Sequence, residues 1–177
     1  IAFDYRAGGN QVVNNGHAVQ VNYAAGSKMT LDGKTFELKQ FHFHSPSENT
    51  IGGRSFPMEA HFVHVDAKGN LAVIALMFEQ GASNKVLEQV WPRVPMTENA
   101  KADLAVPVDA ADLLGSDPDY FRYEGSLTTP PCSEGVRWIV LKRPATATSE
   151  QLGMVGKAIG HPNNRPVQDV GARTILK

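Results

Sequence analysis

Two histidines alternate with two phenylalanines in the short segment that begins at Gln40 and reads Gln-Phe-His-Phe-His. Residues two apart in a β-strand face the same side of the sheet, so His42 and His44 share one face with Gln40. Phe41 and Phe43 then share the opposite face, which is predicted to be apolar. The segment therefore predicts a strand with a core on one side and a cluster of ligand-type side chains on the other.

A second segment, Met58 to His64, repeats this alternation. As a strand it places Glu59, His61 and Val63 on one face. His64, three residues after His61, points the other way and is predicted to be a packed or surface histidine. Residues 45–57 join the two segments and are enough for a hairpin or a wider loop. If the two strands are neighbours, His61 converges with the histidines of the first strand.

Three neutral imidazoles with one open position are the ligand set of a catalytic zinc ion. Water at the open position becomes a nucleophile near neutral pH. The sequence thus predicts Zn²⁺ held by His42, His44 and His61, with Gln40 and Glu59 placed to fix the tautomers of these ligands. The simpler alternative is the polar face of a half-exposed sheet that carries scattered histidines. The alternate phenylalanines and the glutamate on the face of His61 favour the metal.

A different metal site is also compatible with the pair of histidines. His42 and His44, followed by Glu48 and then by two glycines, resemble part of a cupin motif, in which Glu48 would be a ligand of iron or manganese. The glycine usual six residues before the first histidine is absent, because Phe36 stands there. The second cupin motif, Pro-x-Gly-x-x-His, does not follow downstream. A cupin-type metal oxygenase is therefore the alternative enzyme.

The rest of the chain reads mostly as strands separated by turns rich in Gly, Asn, Asp and Pro. Near-continuous apolar runs at Leu71–Phe78 and Val136–Leu141 predict strands covered on both faces. Helices are predicted from about Asn84 to Val90 and from a cap at Thr148 or Ser149 to Gly160. The predicted fold is mainly β (α+β), with a large twisted, mixed, mostly antiparallel central sheet and a few short surface helices.

Composition bounds the partners of the chain. Its 177 residues suit one domain with a real core, and no linker interrupts residues 1–177. The net charge of −1 gives no electrostatic basis for binding nucleic acid or a membrane surface. No apolar run approaches the roughly 20 residues of a membrane-spanning helix. The remaining expectation is a small-molecule substrate, and the sequence is compatible with a homodimer.

A proline-fixed loop, Gly125–Cys132, follows a strand-like stretch and reads Gly-Ser-Leu-Thr-Thr-Pro-Pro-Cys. Together with the histidines, this loop closely resembles the α-class carbonic anhydrases, and the short loops and Cys132 resemble their bacterial branch. The resemblance extends over nearly the whole chain. Its further motifs are Asn14–His17, Ser47-Glu48, Glu59–His64, Val136–Leu141 and Asn163–Pro166.

The resemblance implies reversible hydration of carbon dioxide to bicarbonate and a proton, by attack of a zinc-bound hydroxide. Within it, Thr128 accepts the proton of the hydroxide, Glu48 orients Thr128, and His17 is the proton shuttle. A substrate wall and a further support of the ligands are also implied: Val63, Val73, Leu127, Thr129, Val136 and Trp138 for the wall, and Asn163 for the support. Without the resemblance, His17 would be an exposed turn histidine and each apolar residue ordinary core. A non-catalytic binding domain that uses the same cleft is the second alternative.

Cys132 is the single cysteine of the chain. The chain starts at Ile1 without an initiator Met, and the family's N-terminal motifs do not precede it, so the domain is expected to lack its N-terminal segment. Bacterial relatives carry a cysteine at the position of Cys132 that pairs with one near the N-terminus. The resemblance therefore implies that Cys132 is half of a disulfide and that the protein is periplasmic or secreted. The alternative is a lone buried thiol.

Overall fold

Strands dominate the computed structural model, which describes residues 1–115 and 119–177. The strands are β1 (Ala2–Asp4), β2 (Gly9–Asn14), β3 (Val19–Tyr23), β4 (Lys28–Leu31), β5 (Lys34–His44), β6 (Met58–Val65), β7 (Leu71–Gln80), β8 (Lys101–Val108), β9 (Tyr120–Ser126), β10 (Glu134–Leu141) and β11 (Ala145–Ala147). In the described residues they form one sheet, whose main path runs β8-β2-β3-β5-β6-β7-β10-β9. Strands β10 and β11 lie parallel to β7, and the other pairs are antiparallel. The predicted mixed, mostly antiparallel sheet is confirmed.

The two histidine-bearing segments form adjacent central strands, β5 and β6. Their pairing is antiparallel and shifts register between Leu38 and Gln40, beside the exposed Lys39. This bulge adds one residue to β5. The core positions of β5 change from even to odd across it: Phe36 and Leu38 before, Phe41 and Phe43 after, all fully buried in the main core. The bulge is therefore what turns Gln40, His42 and His44 away from that core.

The central strand β7 is buried on both faces, as its continuous apolar run predicts. Its alternate residues enter different clusters, because successive side chains of a strand point to opposite faces. The main core takes Ala72, Ile74, Leu76 and Phe78, and a smaller apolar cluster takes Val73, Ala75 and Met77. The smaller cluster lies on the face of the sheet that carries the histidines, and it includes Trp138 of β10.

The first predicted helix is present as α1 (Lys85–Val90), capped by the side chain of Asn84. The second prediction is wrong in one respect, because two helices replace the single one: α3 (Ser149–Leu152) and α4 (Met154–Ile159). Thr148 caps the first of them through a capping box with Gln151. Gly153 lies at the junction, where its low helix propensity favours a break. Gly160 ends the second helix in the left-handed region, with φ 84°.

Two further short elements carry no clear sequence signal: α2 (Ala111–Leu114) and a 3-10 helix at Trp91–Arg93. The helices of the described ranges are all short, and none is long and apolar enough to cross a membrane. The chain after α4, residues 160–177, has almost no regular structure. Two backbone hydrogen bonds between Arg122 and Leu176 attach its end to β9.

Candidate metal centre

The strand register brings the three predicted ligands together. His42 lies opposite His61 across the β5–β6 pair, and His44 lies opposite Glu59. The ring centroids of His42 and His44 are 5.0 Å apart, and His61 lies 5.3 Å from the first and 4.5 Å from the second. The predicted convergence of three imidazoles on one face of the sheet is confirmed.

Each imidazole is held through one of its two nitrogens. Nδ1 of His42 bonds the Gln40 side-chain oxygen at 2.8 Å, and Nδ1 of His44 bonds the backbone carbonyl of Asn163 at 3.1 Å. Nε2 of His61 bonds a carboxylate oxygen of Glu59 at 2.8 Å. Because each of these acceptors requires a proton on the nitrogen it faces, the other nitrogen of every ring keeps a free lone pair. The structure thus places Gln40, Glu59 and Asn163 in hydrogen bonds to the three imidazole rings.

The free nitrogens fit a metal ion. One ligand atom from each of His42, His44 and His61 lies within 4.8 Å of the other two. Nε2 of His44 is buried and has no hydrogen-bond partner in the described part of the chain. A buried nitrogen lone pair without a partner is costly unless a cation uses it. Three neutral imidazoles from two rigid strands match the ligands of a four-coordinate metal site with one position left for water.

The electrostatics of the centre favour neutral ligands. Burial, together with the neighbouring imidazoles, holds the pKa of His42 well below its usual range. Burial also lowers the pKa of His44 to about 4, against the opposing effect of Glu48. For Glu59, burial alone would raise the pKa, but His61 and the hydrogen bonds from Asn49 lower it overall. At neutral pH His42 and His44 are therefore neutral, and they lie near an ionised, fully buried carboxylate.

Glu59 ties the ligand strand to the loop that follows β5. One oxygen, Oε2, accepts the backbone N–H groups of Glu48 and Asn49 at 2.7 and 2.8 Å. The other, Oε1, accepts the side-chain amide of Asn49 at 2.6 Å as well as the proton of His61. The Asn49 amide oxygen in turn accepts the hydroxyl of Tyr123 at 3.0 Å. Four donors thus surround a carboxylate that has no exposed surface, which accounts for its ionised state.

Asn49 and Tyr123 belong to this hydrogen-bond network and were not predicted from the sequence. The loop position of Asn49 gives no alternation from which a contact could be inferred. Burial raises the pKa of Tyr123, so its hydroxyl stays protonated and donates. The chain Tyr123–Asn49–Glu59–His61 therefore fixes the direction of every proton it contains.

Glu48 lies beneath the ligands but is held from elsewhere. Its Oε1 accepts the backbone N–H of Arg165 at 2.7 Å, while Oε2 is buried and has no hydrogen-bond partner among the residues described. The group of potential ligands consists of the three histidines and does not include Glu48. The cupin-type site, in which Glu48 binds the metal, is therefore not favoured.

Thr128 lies on the loop between β9 and β10, half-buried, and lines a cavity of about 1010 Å³ together with Glu48 and Trp138. This cavity adjoins the metal centre, since Glu48 and Trp138 both lie beside the histidines. In the described parts of the structure, no hydrogen bond joins the hydroxyl of Thr128 to Glu48. The free Oε2 of Glu48 is nevertheless the acceptor that such a bond would require.

Five of the predicted substrate-wall residues belong to one apolar cluster. Its members beside the site are Val63, Val73, Leu127, Val136 and Trp138. The Trp138 ring packs edge-on against His61, with centroids 4.8 Å apart, and its indole N–H donates to the backbone carbonyl of Ser126 at 3.0 Å. Thr129 is different, because it is exposed and its carbonyl accepts the N–H of Cys132.

His17 lies exposed in the turn between β2 and β3. Its backbone N–H donates to the Asn15 side chain at 2.9 Å, and its carbonyl accepts the side-chain amide of Asn163 at 2.9 Å. Asn163 also supports His44, so the turn is linked to the metal centre through one residue. The imidazole of His17 is therefore accessible to solvent.

A mostly antiparallel sheet that brings three supported imidazoles together on one face is an arrangement typical of metalloenzymes that activate water. The sequence model of the eukaryotic-type carbonic anhydrase family matches residues 2–177. The chain therefore belongs to the carbonic anhydrase family, in its α class.

Two bacterial carbonic anhydrases are among its relatives. That of Pectobacterium atrosepticum is 48% identical over 172 residues, which cover 97% of this chain and 70% of the relative. That of Neisseria gonorrhoeae is 47% identical over 178 residues, covering 100% of this chain and 70% of the relative. The solved α-carbonic anhydrase of Thermovibrio ammonificans, in complex with sulfanilamide, superposes with a TM-score of 0.97 at 48% identity. That match covers 99% of this chain and 78% of the solved one.

These findings establish the activity. The protein is an enzyme, a lyase that reversibly hydrates carbon dioxide to bicarbonate and a proton. The three-histidine cluster fits the metal site of such an enzyme. Neither the cupin-type oxygenase nor the non-catalytic binding domain is favoured by the comparisons.

Proposed function

We propose that the metal is zinc and that His42, His44 and His61 bind it through the nitrogens left free by their supporting hydrogen bonds. The observation that carries this proposal is the buried, unpartnered Nε2 of His44 at the meeting point of the three rings. When bound, zinc supplies a Lewis acid that lowers the pKa of a water molecule to about 7. Three histidines without a carboxylate match zinc better than manganese, which prefers oxygen ligands, or non-haem iron, which is typically held by two histidines and one carboxylate.

Glu48 and Thr128 orient the reacting water in this proposal. The backbone N–H of Arg165 occupies Oε1 of Glu48, so Oε2 is the oxygen available to accept the Thr128 hydroxyl. A hydroxyl that donates to a carboxylate can only accept from its next neighbour. The Thr128 oxygen would then accept a hydrogen bond from the reacting water. This bond would direct a lone pair of the water oxygen toward the carbon atom of the substrate.

The apolar cluster beside His61 forms the substrate wall. Carbon dioxide is small and has no net dipole, so an apolar surface beside the ligands suits it better than a polar one. Val63 shares its strand face with His61, and Trp138 packs directly against the His61 ring. Val73, Leu127 and Val136 complete the wall. Thr129, which is exposed, is proposed as a further substrate contact.

His17 carries the released proton to the buffer. A histidine has a pKa near ~6.5 and can both accept and release a proton at neutral pH. The exposed position of His17 gives it access to bulk buffer, and its link through Asn163 keeps the turn beside the ligand strand.

Metal analysis combined with a hydration assay tests the proposal. Purified protein is expected to contain about one zinc per chain, and its activity is expected to rise with pH through about 7. His61→Ala should lose most of the metal and the activity. Aromatic sulfonamides should inhibit, as the complex of the Thermovibrio enzyme with sulfanilamide suggests. Tight zinc binding by the His61→Ala variant would exclude the three-histidine site. A flat pH profile in concentrated buffer would exclude a metal-activated water as the nucleophile.

We also propose that Cys132 is half of a disulfide whose partner lies outside the printed sequence, and that the protein acts in the periplasm or is secreted. Cys132 is half-buried and directly follows the Pro130-Pro131 pair, on the loop that carries Thr128. A bond there would brace this loop, and disulfides persist in oxidising compartments. Intact-mass analysis of the natural protein, alkylated with and without prior reduction, tests this. A Cys132 that alkylates freely without reductant would overturn both assignments.

A homodimer is a further expectation from the sequence. Light scattering over a range of protein concentrations would measure it, and a mass of 19.2 kDa for this chain at every concentration would exclude it.

A further inference from the structure

The side chain of Asn163 uses all of its hydrogen-bonding groups. Oδ1 accepts the backbone N–H of Ser45 at 2.8 Å. Nδ2 donates to two carbonyls, those of His17 and Phe43, each at 2.9 Å. The backbone carbonyl of the same residue accepts the Nδ1 proton of His44 at 3.1 Å. One residue therefore contacts the proposed shuttle turn and the chain on both sides of a proposed metal ligand.

We propose that Asn163 is a positioning residue for proton transfer, whose side-chain amide sets the distance between the His17 turn and the metal-bearing end of β5. This inference rests on the proposed function, because it takes His17 as the shuttle. It goes further in assigning a role in proton transfer to a side chain that has no group able to carry the proton itself.

Among the described residues, none of the other hydrogen bonds of the turn reaches β5; the Asn14 side chain instead holds the turn to the backbone carbonyls of Pro95 and Ala158. Asn15 accepts the backbone N–H groups of His17 and Ala18 at 2.9 and 2.7 Å, and Asn14 accepts that of Gly16 at 3.0 Å. These contacts shape the turn but do not connect it to β5. Pairing of β3 with β5 starts only at Val19, two residues after His17. The bond from Asn163 is therefore the direct link between the His17 backbone and the ligand strand in the described hydrogen-bond network.

The distance between the His17 turn and the ligand strand affects how fast a proton moves from the metal centre to His17. Transfer through hydrogen-bonded water requires donor and acceptor at a fixed spacing, and small displacements lower its rate strongly. A single amide nitrogen bonded to both carbonyls fixes the separation of His17 and Phe43 to within the freedom of two hydrogen bonds. Without it, the exposed turn would sample a wider range of positions relative to His44.

The test compares Asn163→Asp and Asn163→Ala with the neighbouring Asn164→Ala as matched control. The aspartate variant keeps the size and the Oδ1 acceptor but loses both N–H donors, and it retains the backbone carbonyl that supports His44. Asn164 is also half-buried, but none of the described hydrogen bonds involves its side chain. Zinc content, kcat and kcat/KM for hydration are measured in dilute and in concentrated buffer, with imidazole as the rescuing buffer.

Because the proton leaves after carbon dioxide has reacted, slow proton transfer lowers kcat more than kcat/KM. We expect the aspartate variant to lose about tenfold in kcat in dilute buffer, with a smaller fall in kcat/KM, and imidazole to restore part of the rate. The Asn164→Ala variant should match the parent enzyme. Combining Asn163→Asp with His17→Ala should give no further loss beyond that of His17→Ala alone, because the Asn163 side chain then has no shuttle imidazole to position.

Three results would overturn the inference: an unchanged kcat in dilute buffer, equal losses of kcat and kcat/KM that follow the zinc content, or losses that multiply in the double variant. The second of these would place Asn163 with the metal ligands only. Two other results would contradict the proposed function itself, and not only the positioning role of Asn163. These are a parent enzyme without zinc-dependent hydration and a His17→Ala variant without a defect in dilute buffer. Where Asn163→Ala fails to fold, the aspartate variant decides the question.

Discussion

The backbone N–H of Arg165 donates to Oε1 of Glu48 across 2.7 Å, although the two residues are 117 positions apart in the chain. Glu48 thereby has one oxygen fixed by the C-terminal segment and the other, Oε2, buried without a partner in the residues described. A carboxylate held in this way has one defined direction in which to accept a further hydrogen bond. The arrangement supports the orienting role proposed for Glu48.

Removal of the hydroxyl that Glu48 is proposed to accept should slow the reaction without releasing the metal. We expect Thr128→Ala to lower kcat/KM about a hundredfold, because the reacting water loses its fixed direction toward the substrate. Zinc content should remain at that of the parent enzyme. Ser133→Ala, an exposed position on the same loop, is the matched control. A Thr128→Ala variant with full activity would show that the Thr128 hydroxyl does not orient the reacting water.

The charge on Glu59 should control metal affinity. In Glu59→Gln an uncharged amide replaces the carboxylate, so the His61 ring loses a charged hydrogen-bond acceptor. The amide N–H₂ group would also face an N–H donor, such as the Glu48 backbone N–H, that a carboxylate oxygen now accepts. We expect the dissociation constant for zinc to rise about 10- to 100-fold, as measured by competition with a chromophoric chelator. Glu79→Gln, which disturbs only an exposed pair with Arg54, is the control. Equal affinity in the two variants would contradict this role of Glu59.

The shuttle assignment predicts a defect that depends on buffer concentration. His17→Ala should slow turnover at least about tenfold in dilute buffer and much less in concentrated buffer, because buffer molecules then take the proton directly. Small imidazole buffers should restore part of the rate. The measurement is kcat as a function of buffer concentration at constant pH and ionic strength. If the curves of variant and parent coincide at low buffer, another group exports the proton.

The buried His64, on the opposite face of the sheet from the three-histidine cluster, should make the folding stability of the protein sensitive to acid. It is fully buried, bonds the hydroxyl of Tyr5 and the backbone carbonyl of Phe62, and burial lowers its pKa to about 4. The unfolded chain, with a pKa near ~6.5, takes up a proton first as pH falls, so stability from His64 is present above ~6.5 and is lost toward 4. Between pH 7 and 5 this loss is about 2 kcal/mol.

Urea unfolding of His64→Gln at pH 7 and pH 5 measures that contribution. The variant should be less stable than the parent at pH 7, because Tyr5 and Phe62 lose a partner, but its stability should fall by about 2 kcal/mol less between the two pH values. All other titratable groups are common to both proteins, so their effects cancel in the comparison. His161→Gln, at an exposed helix-end position, is the matched control. Equal slopes for His64→Gln and the parent would refute the prediction.

Much of the metal centre could be predicted from the sequence because a strand has a period of two. That period places His42 and His44 on one strand face with Gln40, and His61 on another strand face with Glu59. The convergence of the two faces needed one assumption, that the strands joined by residues 45–57 are neighbours. The structure confirms it, with His42 opposite His61.

The remaining supports could not be derived from local pattern. Asn163 and Arg165 belong to a segment without regular structure, and their bonds to His44 and Glu48 span 119 and 117 positions. The resemblance named Asn163, but nothing in the sequence indicated what its side chain contacts. Asn49 was missed for the same reason, since a loop residue has no periodicity to show which way it faces. The break at Gly153 was missed because isolated glycines are often tolerated inside helices.

The bulge beside Lys39 has a consequence for anyone who would transplant this centre onto another sheet or shorten the protein. Deletion of that one residue leaves every histidine in the sequence but exchanges the two sides of the strand, so that His42 and His44 would enter hydrocarbon and Phe41 and Phe43 would meet water. The presence of this one extra residue, and not only the identity of the histidines, thus determines on which face of β5 the metal-binding side chains lie.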